Sequence, residues 1–137
     1  MSLSTPTQPT CGLYNLKVHA QFCSAHALRD YPGDCRRLHG HNWKVETEVE
    51  AKVLADIGTA IDFKAIKAAT RQLADSLDHR FLNDIEPFDR INPTAENLAA
   101  WFYRQLSVTL NSAQVKVAAV TLWETGTACV RYSEVAA

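Results

Sequence analysis

The 137-residue chain has no Cys-x-x-Cys pair, no long apolar run, no low-complexity block and no excess of either charge. Each absence removes a class. Four cysteines (Cys11, Cys23, Cys35, Cys129) without short paired spacing exclude a zinc ribbon or a thioredoxin-like centre. No apolar stretch approaches the ~18 residues of a membrane span. Fourteen basic against fifteen acidic side chains leave a net charge of −1, without the basic surplus of a generic nucleic-acid binder. With no internal linker or short-period repeat, the chain reads as one domain over 13–137, after a flexible leader over 1–12. The leader has neither the basic start nor the apolar core of a secretory signal, so the cytoplasm is the expected compartment. Its cysteines are then expected as free thiols. What remains is ordinary for a globular protein: 47% hydrophobic and 21% charged residues, enough to bury a core without disulfides.

Alternation at period two predicts a strand over Leu13–Phe22, with Tyr14, Leu16, Val18, Ala20 and Phe22 on one face. A second strand carries Trp43, Val45, Thr47, Val49, Ala51 and Val53 on its core face and Lys44, Glu46, Glu48, Glu50 and Lys52 on the other. Between them lies a loop over about 28–40. Asp62 caps a helix from Phe63 to about Leu77, with a stripe of Phe63, Ile66, Ala69, Leu73 and Leu77. Thr94 caps a second helix, about Ala95–Leu110, with a stripe of Leu98, Ala99, Phe102, Leu106 and Leu110. Strands return over Gln114–Glu124 and Ala128–Glu134. The order β-β-α-α-β-β predicts an α+β domain, with both helices on one face of an antiparallel sheet.

Three histidines stand out: His26, His39 and His41. The last two share a face if the strand has already begun there, and a hairpin would bring His26 beside them. Three imidazoles and an open position form a catalytic metal pattern; three unrelated loop histidines are the plain alternative. Cys35, flanked by Arg36 and Arg37, reads as a fourth ligand or as an activated thiol near the metal. The other thiols read as small buried hydrophobes. Asp78 beside His79 suits a carboxylate that orients an imidazole, or a helix-end decoration. Glu124 ends an apolar face with Ala118, Val120 and Leu122, so it needs a partner: adjacent N–H donors of a ligand, or a salt bridge. Thr94 and Glu96 are helix-start residues that could also meet a ligand.

Five motifs stand in a fixed order: F-C-S-A-H, C-R-R-L-H-G-H-N, L-D-H-R-F-L-N-D, N-P-T-A-E-N-L-A and L-W-E-T. From about Tyr14 to Tyr132 the chain resembles the 6-pyruvoyl-tetrahydropterin synthase family. The three residues between Cys35 and His39 are similar to its bacterial 6-carboxy-tetrahydropterin synthase branch, in the queuosine precursor pathway. Cys23 departs from the small or acidic residue more usual there. The resemblance implies a T-fold (tunnelling fold) whose sheets join into a barrel. It also implies a homo-oligomer, commonly a hexamer of two trimers, with active sites between subunits. It implies zinc on His26, His39 and His41, Cys35 as general base, and His79 oriented by Asp78 as proton partner. Glu124 would anchor the pterin, with Thr94 and Glu96 assisting. The implied substrate is 7,8-dihydroneopterin triphosphate, giving 6-carboxy-tetrahydropterin, acetaldehyde and triphosphate. No nucleic-acid or membrane partner is expected. The alternatives are pyruvoyl-tetrahydropterin formation, a non-catalytic zinc-stabilised pterin binder, and a cysteine hydrolase built on Cys35 and His79.

Overall fold

A computed structural model describes residues 12–137. The elements are β1 (Tyr14–His26), β2 (His39–Ala51), α1 (Phe63–Leu77), β3 (Arg80–Phe81), α2 (Ala95–Leu110), β4 (Val115–Thr125) and β5 (Ala128–Tyr132). The leader expected over 1–12 lies outside the described residues except for Gly12, and so does Cys11. One five-stranded sheet has the order β3-β1-β2-β4-β5. Both helices contribute to a single apolar cluster with Phe22, Trp43, Val45, Val49 and Leu122, so they cover the same face of the sheet. Among the described residues, no helix is long and apolar enough to cross a membrane.

The helix starts follow the capping residues. The Asp62 side chain accepts from Lys64 N–H at 2.8 Å, and Thr94 Oγ1 accepts from Asn97 N–H at 3.1 Å. Each accepts from one of the four N–H groups that a helix start leaves unpaired. α1 buries Ile66, Ala69, Thr70, Ala74 and Leu77, a helical repeat. A buried polar pair docks it on β2: the Thr47 and Thr70 hydroxyls lie 2.8 Å apart, and Thr70 Oγ1 donates to the Ile66 carbonyl. α2 inserts fully buried Phe102 against Phe22, with ring centroids 5.8 Å apart. Truncating such a ring costs about 3–5 kcal/mol, through lost contacts and the cavity left behind.

The structure corrects four sequence expectations. Phe63 is 52% exposed, because the first helical residue sits outside the turn that meets the sheet, and Leu73 is only half-buried. The sheet is mixed: β3 pairs in parallel with β1, Ser24 with Arg80 and Ala25 with Phe81. Ala118 is skipped by a bulge in the β2–β4 ladder, so the buried side of β4 switches phase and runs Val115, Val117, Val120, Leu122. Val53 lies past the end of β2 and is 71% exposed.

The β1–β2 hairpin is also longer than its alternation predicts. Its register runs unbroken to the rungs Phe22–Trp43, Ser24–His41 and His26–His39. The core stripe of both strands therefore continues into histidine at one end of the sheet.

Candidate metal centre

Period two carries Phe22, Ser24 and His26 on the helix-covered face of β1, and Trp43, His41 and His39 opposite them on β2. The three imidazoles stand edge to face, with centroids 4.5 to 5.1 Å apart. One nitrogen from each lies within 4.8 Å of the others. Trp43 forms the floor, its ring 5.2 Å from both His26 and His41 and close to perpendicular to each.

Two rings have their tautomers fixed from behind. His26 Nδ1 meets the Pro93 carbonyl at 2.7 Å, and His39 Nδ1 meets the Arg37 carbonyl at 2.7 Å. A carbonyl only accepts, so each Nδ1 carries the proton and each Nε2 offers a lone pair. A carbonyl behind a ligating histidine is the usual outer support of a metal site. Among the described residues, the Nε2 atoms of His26 and His41 are buried without a hydrogen-bond partner. His41 Nε2 does lie 3.3 Å from Glu124 Oε1, but not aligned for a hydrogen bond. Buried polar atoms left unpaired are costly. Two aimed into one cluster are what a metal would satisfy, so the residues fit such an ion. Burial lowers the pKa of His26 below its ordinary value, only partly offset by the Pro93 carbonyl. Burial also lowers that of His41, with Glu124 opposing. Both shifts favour neutral imidazole, the form that ligates.

Sequence reasoning missed what holds β1 at this point. Asn83 Oδ1 accepts from Ala27 N–H at 3.0 Å while its Nδ2 donates to the Ala27 carbonyl at 2.8 Å. Asn92 brackets Arg29 in the same way, both bonds at 2.8 Å. Arg29 in turn donates to the Phe88 carbonyl at 2.8 Å. These side chains supply the backbone partners that a neighbouring strand would. Asn83 and Asn92 both sit inside motifs quoted above, which was the available signal.

The remaining sequence candidates fall into two groups. Glu124 joins the histidines, one residue beyond Trp123 on β4 and one-third exposed. Thr94 follows Pro93, so the α2 start adjoins His26, but its hydroxyl is engaged as the cap. Glu96 is exposed in the first turn of α2. Cys35 sits in a single 3-10 turn, Asp34–Arg36. Its carbonyl accepts from Leu28 N–H at 3.0 Å, which folds the loop back on the exit of β1. Its thiol is not part of the ligand cluster.

Asp78 and His79 lie at the other edge of β1. Asp78 Oδ1 accepts from Cys23 N–H at 2.8 Å, and its Oδ2 is 2.9 Å from His79 Nδ1. The Cys23 N–H, and then His79, hold the Asp78 carboxyl below its usual range. His79 is 80% exposed. It opens on a cleft of about 480 Å³ with Cys23, Asn42 and Arg80. Cys23 and Cys129 are exposed, which corrects the expectation of buried thiols. Both occupy outward positions, and Cys23 Sγ donates to Asn42 Oδ1 at 3.0 Å.

The family profile of 6-pyruvoyl tetrahydropterin synthase (PTPS) matches residues 15–135. A 6-carboxy-5,6,7,8-tetrahydropterin synthase of Synechocystis sp. is 34% identical over 116 residues, 81% of this chain and 86% of its own. One from Aquifex aeolicus is 32% identical over 123 residues, 73% of this chain and 76% of its own. In structure, the 6-pyruvoyl tetrahydropterin synthase of Caenorhabditis elegans superposes with a TM-score of 0.80 at 21% identity, covering 93% of this chain and all of the other. The fold is thus the T-fold of those structures.

Proposed function

The chain belongs to the 6-pyruvoyl tetrahydropterin synthase family, and on that premise we propose that it is a zinc-dependent 6-carboxy-5,6,7,8-tetrahydropterin synthase. The observation that carries this reading is the histidine cluster, with two rings fixed from behind and two buried nitrogens unpaired among the described residues. The relatives' names supply the branch, and the short Cys35–His39 spacing agrees with it. The reading carries with it a role in the queuosine precursor pathway and a cytoplasmic location.

His26, His39 and His41 would hold the zinc. Imidazole nitrogens suit it among several divalent metals. Bound there, zinc supplies Lewis-acid polarisation of a substrate oxygen. The net conversion consumes 7,8-dihydroneopterin triphosphate and water. It yields 6-carboxy-tetrahydropterin, acetaldehyde and triphosphate. The side-chain carbon next to the ring is oxidised to the carboxylate, and the ring takes up two hydrogens, so no external redox cofactor is needed. Cys35 acts as the base that removes a side-chain proton. His79 returns protons, its ring turned by Asp78. Glu124 accepts adjacent N–H groups of the pterin edge, and Thr94 and Glu96 line the approach. His79 is solvent-exposed in the single chain. The reading therefore includes a homohexamer, a dimer of trimers, in which a neighbouring subunit covers it.

The test is a product mass spectrum from zinc-loaded protein and 7,8-dihydroneopterin triphosphate. Carboxy-tetrahydropterin with acetaldehyde is expected. A pyruvoyl product would move the chain to the other branch. Unchanged substrate from protein that holds its metal would leave a zinc-stabilised binding protein.

A further inference from the structure

Ser24 lies between the two groups of candidate residues and is bonded toward both. It is 5% exposed and sits on β1 opposite His41, with Arg80 of β3 on its other side. Its hydroxyl donates to the carbonyl of Leu77, the last residue of α1. Helix ends leave such carbonyls without an intrahelical partner. Its own carbonyl accepts from Trp43 Nε1 at 3.3 Å. That indole is the floor on which His26 and His41 stand.

The two bonds run to different places. From Leu77 the chain turns out of α1, and Asp78 adopts an extended conformation. His79 then takes a left-handed backbone, φ 56°, that a non-glycine residue rarely adopts. That conformation is secured by His79 N–H donating to the Cys23 carbonyl at 2.6 Å and by Asp78 accepting from Cys23 N–H. Without the hydroxyl, the turn would lose its anchor on β1 just before those two bonds.

We infer that Ser24 is a positioning residue: its hydroxyl sets the α1 exit that orients Asp78 and His79, while its backbone carbonyl sets Trp43 against the histidines. The catalytic consequence rests on the proposed role of His79 in proton transfer; the positioning itself does not. Because different atoms do the two jobs, alanine separates them. Ser24→Ala keeps the carbonyl and loses the hydroxyl.

The experiment compares full-length wild type, Ser24→Ala and Ser24→Thr. It reads the ¹⁵N signals of the His79 ring, amide exchange at His79, the absorption spectrum of cobalt-loaded protein, and turnover. In wild type the His79 ring holds one tautomer, with Nδ1 protonated toward Asp78. In Ser24→Ala the ring averages between tautomers, and His79 exchange quickens about tenfold as the local bonds open. The cobalt spectrum stays as in wild type. The kcat falls roughly tenfold at unchanged KM, a partial loss of the about 10²–10⁴-fold that acid–base catalysis supplies. Ser24→Thr restores the ring signature. Ser24→Cys, a weaker donor, gives an intermediate signature and serves if alanine does not fold. A lowered melting temperature with an unchanged His79 signature would reduce Ser24 to a structural residue. So would a cobalt spectrum that changes as much as the ring. If wild type shows no turnover, the functional reading fails, while the ring and cobalt spectra still decide the role of Ser24.

Discussion

The histidine trio spans the paired ends of β1 and β2, the Asp78–His79 pair flanks β1 beside β3, and the two differ in how complete they are. His26 is 1% exposed, and its orienting carbonyl comes from the α2 start across the fold. His79 is 80% exposed and, among the described residues, is held by Asp78 and the Cys23 backbone. A ligand site is finished when lone pairs converge and are shielded, and one chain achieves that here. A proton-transfer partner gains its strength when water is excluded, and one chain does not achieve that for His79. The contrast separates the proposed chemistry in two: the three histidines could hold a metal within one chain, whereas the proton-transfer side is left open to solvent.

The largest effect should come from breaking the finished side. His39→Ala removes a ligand whose ring is already aimed by the Arg37 carbonyl. Metal affinity should fall by more than the about 10–100-fold typical of losing an outer support, and turnover should vanish with it. Dialysis followed by metal analysis checks the first point. Full metal retention would mean that the trio is not the ligand set.

The next effect sharpens the boundary between the two regions. The Cys35 thiol is outside the histidine cluster. As a base it should be dispensable for the metal and needed for rate. Cys35→Ala should keep stoichiometric zinc and lose about 10²–10⁴-fold in kcat. Metal and thermal stability lost together would instead make the thiol a fourth ligand, closing a structural site.

Sequence legibility follows the same division. Both helices were legible to the residue, because Asp62 and Thr94 are side-chain caps and the stripes have helical spacing. The trio was legible as a set because strand alternation puts His39 and His41 on one face. The four extra residues of β1 were not. There the core stripe turns polar at Ser24 and His26, and only pairing with β2 and β3 keeps the strand extended. Nor were the Pro93 and Arg37 carbonyls, since backbone acceptors have no side-chain signature. The bulge at Ala118 changed which residues of β4 are buried, and nothing local marks it. Cys23 and Cys129 were misread as buried because composition favours buried thiols, while each sits at an outward strand position.

The smallest effect separates the two regions by pH in metal-free protein. Burial lowers the folded pKa of His26 below its ordinary 6.5. Between 6.5 and that lowered value the unfolded chain binds a proton that the folded chain does not, so stability falls as pH falls through this window. Asp78 contributes in a different range. Its folded pKa lies below the ordinary 3.8, so its contribution is complete above 3.8 and is lost only as pH drops below it. Thermal melts in chelator should therefore decline from pH 7 toward 5 through the histidines, while Asp78→Asn should leave the shape of that decline unchanged. A melting temperature that stays level over this range would show that the unfolding reaction does not sense the buried imidazole. Loading zinc should steepen the decline, because the ion binds only the neutral rings and protons compete with it directly.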